Sequence, residues 1–349
     1  MANLDVALLS LNAEEAKSVS EIIVETQFIN GELNQNYDIQ TGISHDQAVV
    51  FLSSMGITGK AMTSCTPEEI GGLVFTEKVW RPKLIAGRKK HCAADENQLI
   101  KWLKQARNVY NDFFDRNGSP ELQMIASSII ASMKLSILAK VWFNDTAAAD
   151  VSGGGVFSNG TDLGLFNQFD GLFKQIFADA SIPKYVISEN SAANYASQKL
   201  ASNRGDEILE NVFDNADSRL TSHPDAKFYV TGEILKNFRK TVKKIEYKGG
   251  LTETLLNGRS QLTYFDIPIF EEKIFDYVIK NHQDDGTKHN LPHRVVLTTQ
   301  GNIPIGTLST SDLENLRSIF DEPNNTNILD FGYFLDALFG ESYMASVAY

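Results

Sequence analysis

Three histidines, His282, His289 and His293, crowd residues 282–293 of this 349-residue chain. Histidine is a common metal ligand and proton carrier. A zinc site often draws two histidines four apart on one helix face. His289 and His293 have that spacing, but Pro292 interrupts a helix between them. The stretch is therefore expected to be a polar surface loop and not a metal centre. His91 and Cys92 are neighbours in sequence, yet a nucleophile and its base are paired in space, so adjacency signals nothing. Cys65 suits a small turn position as well as a working thiol.

Two glycine runs touch on phosphate chemistry. Gly56-Ile57-Thr58-Gly59-Lys60-Ala61 has two residues between its glycines where a phosphate loop has four. Ala61 also stands where that loop carries a metal-binding hydroxyl. Gly153-Gly154-Gly155 has Ser158 at the place of a dinucleotide fingerprint's third glycine, and is read as a hinge. The acids of 112–118 fail as a calcium loop, because Phe113 and Met124 fall on ligand positions. No G-x-S-x-G elbow exists, and no two carboxylates stand apart as an acid/base pair. No catalytic residue, cofactor-binding residue, metal ligand or cofactor is assigned, and the chain is not read as an enzyme. The rival reading is a soluble multi-domain enzyme with a pocket lined by acids or histidines.

The elements that would position any such residues are mixed. Asn12 with Glu15 is a capping box for a helix over 13–25. Ser44 opens a short helix carrying Ala48, Val49, Phe51 and Leu52, which Gly56 ends. Residues 56–90 hold Gly56, Gly59, Gly71, Gly72 and Gly87 between strand-like runs at 73–75 and 79–85, which suggests a long β-hairpin without its own core. Helices follow from Asp95 and from Ser119-Pro120, the second running to Phe143, about 36 Å. Beyond the glycine hinge come a Phe-rich amphipathic stretch at 165–177 and helical patterns at 189–201 and 206–220. Lys227–Val230 is a strand and Thr231 opens a helix. Leu262–Phe270 is a strand broken by Pro268, hence an edge or bulge. Arg294–Thr298 and Ile303–Thr307 flank Gln300-Gly301-Asn302 as a hairpin. Ser311 opens a last helix, and 343–349 closes a sheet. The order lacks regular βαβ alternation, so the fold class is α+β with antiparallel sheets.

Composition fits a folded chain with a sizeable core, at 42% hydrophobic and 22% charged residues. Two cysteines cannot staple it, and a reducing compartment is implied. The net charge of −12 argues against a general nucleic-acid binder. That charge is uneven. Residues 1–50 hold eight acids and one base, −7; residues 77–107 hold nine bases and three acids, +6. Such blocks are commonly solvated faces, but they also suit one segment built to lie on another. The opening residues lack the basic region of a signal peptide. Ile129–Phe143 is too short to span a bilayer and is broken by Lys134 and Lys140. Sequons at Asn144, Asn159 and Asn324 are expected to be chance.

The order of elements resembles that of a known family. Glu77-Lys78-Val79-Trp80-Arg81-Pro82 resembles the return strand of an extended loop, and 120–143 a spine helix. Val141–Asp145, the glycine run and Gly164-Leu165-Phe166 resemble the run from that spine into an axial domain. Phe228–Leu235, Arg294–Thr298 with Ile303–Thr307, and Glu341–Tyr349 resemble its later strands and helix entry. Together they resemble the major capsid proteins of tailed bacteriophages, the Hong Kong 97 fold. The likeness spans nearly the whole chain as an order of elements, with no short diagnostic motif.

The resemblance implies an N-terminal arm (1–55), an extended loop (56–90), a peripheral domain with the spine helix (91–145), an axial domain with part of the peripheral sheet (146–325) and a C-terminal return (326–349). It implies pentamers and hexamers of the chain itself, forming an icosahedral head around double-stranded DNA without sequence-specific binding. Portal, scaffold and decoration proteins are the implied partners, with no membrane. The virion is the implied location, after assembly in the host cytoplasm. With the chain starting at Met1, a separate scaffold or none is expected. No residue matches a cross-linking motif. An encapsulin-like nanocompartment shell is the near variant. Arg88, Lys89 and Lys90 are the bases expected to mate with the acidic arm of another copy.

Overall fold

The computed structural model describes residues 36–43, 45–52, 75–92, 132, 135–244, 253–256, 259–308, 317–321 and 326–349. The expected helices at 13–25, from Asp95 and from Ser311, and most of the helix from Ser119, lie outside these residues. So do Cys65 and the 56–61 and 112–118 runs. The described strands begin with β1 (Ile39–Gln40), β2 (Ala48–Leu52), β3 (Phe75–Val79) and β4 (Lys83–Cys92). Helix α1 spans 135–143. There follow α2 (Gly160–Leu165), α3 (Leu172–Ala178), β5 (Lys184–Tyr185), α4 (Arg204–Asp214), α5 (Ser218–Thr221), β6 (Ala226–Val230) and α6 (Gly232–Lys244). The order ends with β7 (Glu253–Leu256), β8 (Arg259–Tyr264), β9 (Ile267–Glu271), α7 (Lys273–His282), β10 (Val295–Thr299), β11 (Ile305–Gly306), β12 (Arg317–Asp321), β13 (Thr326–Ala337) and β14 (Ala345–Ala348). The architecture is α+β as expected, but the sheets are mixed and not purely antiparallel, since β1–β11, β5–β14 and β6–β9 pair in parallel. Contacts divide the chain into two compact units. One takes its described residues from 1–43, 82–142 and 305–336, the other from 44–81, 143–304 and 337–349.

In the first unit, β13 is the axis of a five-stranded sheet. It runs antiparallel to β4 from Thr326↔Cys92 to Leu335↔Lys83, and antiparallel to β12 over its first residues. It also neighbours β11, which pairs in parallel with β1. Tyr333 and Leu335 are buried with Gly332 and Phe334 less so, the period-2 signature of a half-covered sheet. Helix α1 buries Ile137, Ala139, Val141 and Trp142. Its Ser136 hydroxyl lies 3.2 Å from the Tyr333 hydroxyl. Trp142 Nε1 donates to Tyr37 Oη at 2.8 Å, and the rings meet edge-on. That buried pair anchors the chain just ahead of β1.

The second unit holds a seven-stranded sheet in the order β5-β14-β10-β6-β9-β8-β7. Every residue of β10 and β14 is buried. Strands covered on both faces lose the alternation of half-exposed ones and become continuous apolar runs, as Val295-Val296-Leu297 does. Helices α4 and α6 pack into one core with this sheet. Ile208, Leu209 and Val212 meet Ile234, Leu235 and Phe238, spaced so that each helix turns one apolar stripe inward. Gly205 permits the approach, since a Cβ there would sit 2.8 Å from the Ile234 carbonyl oxygen. Strands β2 and β3 form a separate two-stranded sheet in the same unit, with Val50 56% exposed.

Several local expectations are corrected. Ala48–Leu52 is a strand, not a helix: the β-branched pair Val49-Val50 finds a ladder partner in β3. Strand β4 does not return on β3 as a hairpin but pairs with β13, far along the chain. Residues 262–270 form two strands joined at Phe265-Asp266, both at positive φ (46° and 66°), as a tight two-residue hairpin turn demands. Pro268 is not on an edge strand, because β9 lies between β6 and β8. The proline sits one residue before the first registered pair with β6, Ile269↔Phe228, where its missing N–H breaks no ladder bond.

The turn at 300–302 does not make a hairpin either. After it, β11 joins the first unit's sheet. The side chain of Asn302 ties the turn to residues 341–344 instead. Residues 189–201 hold a short 3-10 turn at Ser188–Ser191 rather than a helix. There Asn190 exchanges bonds with the His293 backbone (2.7 and 2.9 Å), and Asn194 Oδ1 accepts from Ser197 N–H. Polar side chains competing for the backbone in this way favour turns. Helix α7 was not anticipated.

Candidate functional site

The histidine stretch lies in the second unit, and each histidine has its own carboxylate. His282 Nδ1 is 2.8 Å from Asp162 Oδ1, His289 Nδ1 is 3.8 Å from Asp284 Oδ2, and His293 Nδ1 is 4.0 Å from Glu233 Oε2. The three share no acid. Among the described residues no group of three His, Cys, Asp or Glu side chains is placed to hold a metal ion. The polar-surface expectation is wrong for His293, which is 1% exposed and whose Nε2 contacts the Gln198 carbonyl at 2.6 Å. Tyr195 donates to Asp284 Oδ1 and its ring tilts against His289. The Asp284 acceptor holds the Tyr195 proton, pushing the phenol up to about 12. These contacts tie the 282–293 stretch to its surroundings.

A cavity of about 320 Å³ in the same unit is lined by Glu233, Lys236, Lys240, Asp276, Lys280 and His289, among others. Acids and bases both line it, and among the described residues no serine, threonine or cysteine does. Asp276 is already engaged, accepting from Gly232 N–H at 3.0 Å.

The glycine run belongs to a folded loop. Asp150 Oδ1 accepts from Gly153 N–H at 2.8 Å, and Gly154 takes φ 79°. A Cβ on Gly155 would lie 2.0 Å from the Ala149 carbonyl oxygen. All three glycines serve local geometry. Asn159 is exposed and caps α2 through Asp162 N–H at 2.9 Å, whereas Asn144 is buried, 1% exposed.

The bases at 77–92 are divided between the units. In the second, Lys78 is half-buried, donates to the Phe339 carbonyl and lies 5.2 Å from that ring's centroid. Burial lowers its pKa, while Asp179 and Glu341 pull it back up. Arg81 lies 3.9 Å from Asp46 on the surface. In the first unit, Arg88, Lys89 and Lys90 fall on β4 opposite Asp330, Leu329 and Ile328 of β13. The basic triplet thus rides a laddered strand, with Arg88 in register with an acid of its own chain. Residue Asp330 and the long β13 that carries it were missed from sequence. The alternation in Asp330–Leu335 was the available signal.

No family model matches the chain. Among curated proteins it matches the early transcription factor 70 kDa subunit of Yaba monkey tumor virus, at 23% identity over 283 residues. That is 68% of this chain and 43% of the relative, so the chain spans less than half the relative's length. Solved structures give a broader likeness. The satellite phage P4 procapsid superposes with TM-score 0.52 and 10% identity over 91% of this chain and 94% of that one. A structure of Gordonia phage Cozz gives 0.52 and 10% over 90% and 85%. The holo-SrpI encapsulin of Synechococcus elongatus PCC 7942 gives 0.48 and 9% over 90% and 85%, too loose to favour either kind of shell. The chain has the α+β fold of these phage structures, the Hong Kong 97-type fold.

Proposed function

We propose that the chain is a structural, non-enzymatic subunit that assembles with copies of itself into the icosahedral head of a tailed bacteriophage. The observation that carries this reading is the fold shared with the P4 procapsid over nine-tenths of both chains. The charge pattern supports it. An arm region of −7 and a basic region of +6 on one chain can meet between copies. Such pairs set register and orientation more than affinity, and many weak contacts add through avidity in a closed lattice. A two-stranded β2–β3 sheet with an exposed valine also makes more sense with a neighbour to cover it.

The parts would be the arm (1–55), extended loop (56–90), peripheral domain (91–145), axial domain (146–325) and C-terminal return (326–349). The copies would form pentamers and hexamers. Portal, scaffold and decoration proteins would be partners, and double-stranded DNA the content, held without sequence reading. An acidic shell that does not grip DNA suits a polymer that must leave. Location in the virion, with assembly in the host cytoplasm, follows from this reading. Among the described residues no helix is long and apolar enough to cross a membrane. A transcription role like that of the curated relative is not adopted, since a −12 chain offers no general basic field for DNA. A nanocompartment would differ in holding cargo protein instead of a genome.

Deleting residues 1–35 tests the reading. Tyr37, β1 and β2 are integral to the two units and are kept. Particles should be lost while circular dichroism and melting of the remainder persist. Undiminished particle formation would remove the arm from the account.

A further inference from the structure

Arg294 heads β10 and is 3% exposed. Its guanidinium stacks among three rings, 4.6 Å from the centroid of Phe173, 5.0 Å from Phe143 and 6.0 Å from Phe177. Nε donates to the Leu291 carbonyl at 3.0 Å. One terminal nitrogen donates to Gln283 Oε1 at 2.9 Å and the Asn290 carbonyl at 3.2 Å. All three acceptors are neutral. Burial lowers the group to about 9, and no charged neighbour opposes that shift. A buried cation ordinarily has an anion.

The same side chains wall a cavity of about 420 Å³, within the size range of small-molecule sites. Asn144 also lines it, is 1% exposed, and has hydrogen-bond partners for neither its Nδ2 nor its Oδ1. Buried amides rarely go unpaired. The one acid on the wall, Asp145, is engaged elsewhere: its carboxylate holds Lys174 at 3.0 Å and accepts from Ala147 N–H at 2.9 Å. An anion entering would therefore meet Arg294 and the Asn144 amide, with the Asp145 charge offset by Lys174. Around those two polar groups the walls are Phe143, Phe173, Phe177 and Leu291, which favour a flat apolar body.

We propose that this cavity is a binding site for a small aromatic carboxylate, its carboxylate on Arg294 and Asn144 and its ring among the phenylalanines. The inference does not rest on the shell reading, because the cavity lies within one unit of one chain.

The test titrates the full-length chain with benzoate, and with neutral benzamide as the isostere, by calorimetry and ligand-observed NMR. Benzoate should bind at least roughly tenfold more tightly than benzamide, the scale of a charge-assisted hydrogen bond. Asn144→Ala should weaken benzoate by roughly three- to tenfold, and Arg294→Gln should abolish the preference for the anion. Should Arg294→Gln fail to fold, Asn144→Ala and the benzamide comparison decide. Equal binding of the two probes, no binding of either, or benzoate affinity untouched by Asn144→Ala would overturn the proposal.

Discussion

Replacing Asn302 with alanine should destabilise the second unit far more than a loop substitution usually does. The side chain is 5% exposed and joins the turn after β10 to the segment before β14. Its Nδ2 lies 3.2 Å from Thr298 Oγ1, 3.1 Å from the Glu341 carbonyl and 3.2 Å from the Met344 carbonyl, and its Oδ1 accepts from Glu341 N–H at 2.6 Å. Thr298 Oγ1 keeps its own bond to the Met344 carbonyl at 2.8 Å, so that oxygen stays satisfied in the variant. Alanine then strips the partner from the Glu341 N–H, while the Glu341 carbonyl keeps the Met344 N–H at 3.1 Å. A buried group left unpaired costs about 1–3 kcal/mol. With water reaching half-buried Glu341, the expected loss is about 2 kcal/mol. Asn302→Asp should do no better, since it keeps the acceptor but turns a carboxylate toward two carbonyls. The assay is equilibrium urea unfolding of unassembled protein followed by tryptophan fluorescence, with the midpoint falling at constant slope. A loss below about 1 kcal/mol would refute the claim that this asparagine holds the turn to the closing strand.

Gly155→Ala should cost more than about 2 kcal/mol, because its Cβ would strike the Ala149 backbone, while Gly154→Ala at φ 79° should cost about 1–2 kcal/mol; differential scanning calorimetry ranks them. Buried Lys140 has its pKa lowered to about 8 by desolvation, so its charge is a burden in the folded state below that pH. Between about 8 and the unfolded value of 10.5 the unfolded chain binds more protons, and this contribution to stability rises with pH. Unfolding midpoints taken across pH 7–10 should show a gain that is absent in Lys140→Met. Reversing Lys89 and Lys90 to Glu should lower particle yield, most at low salt where attraction is least screened; adding Arg88→Glu also removes a charge set opposite Asp330 and should lower monomer stability as well. Unchanged yield from the double reversal, measured by sedimentation at low salt, would remove the electrostatic contribution to assembly.

Local chemistry decided which parts of this fold were legible in advance. The apolar runs at 227–230 and 294–298 and the closing strand near 343–349 could be read directly, because fully buried strands are continuous in sequence. Val49-Val50 was ambiguous: five residues fit one helical turn or one strand, and only the remote partner β3 settles it. Gln300-Gly301-Asn302 has hairpin residues, but the Asn302 side chain is spent on residues 341–344, a long-range choice no local pattern encodes. Pro268 suggested an edge because the rule concerns its missing N–H. The register that excuses it depends on where β6 begins to pair. For the candidate sites, Pro292 argued against one helix carrying the last two histidines, and proximity in sequence could not foretell separate partners at Asp162, Asp284 and Glu233. Arg294 was invisible as a site, since an arginine ahead of an apolar strand gives no sign that three phenylalanines will enclose it.

The central claim is that this chain closes into shells. Analytical ultracentrifugation of the purified full-length protein, with negative-stain imaging of the same sample, measures that directly. The account predicts megadalton, closed particles of uniform size, formed alone or with a co-expressed scaffold. A single subunit-sized species at every concentration, scaffold present or absent, would contradict it.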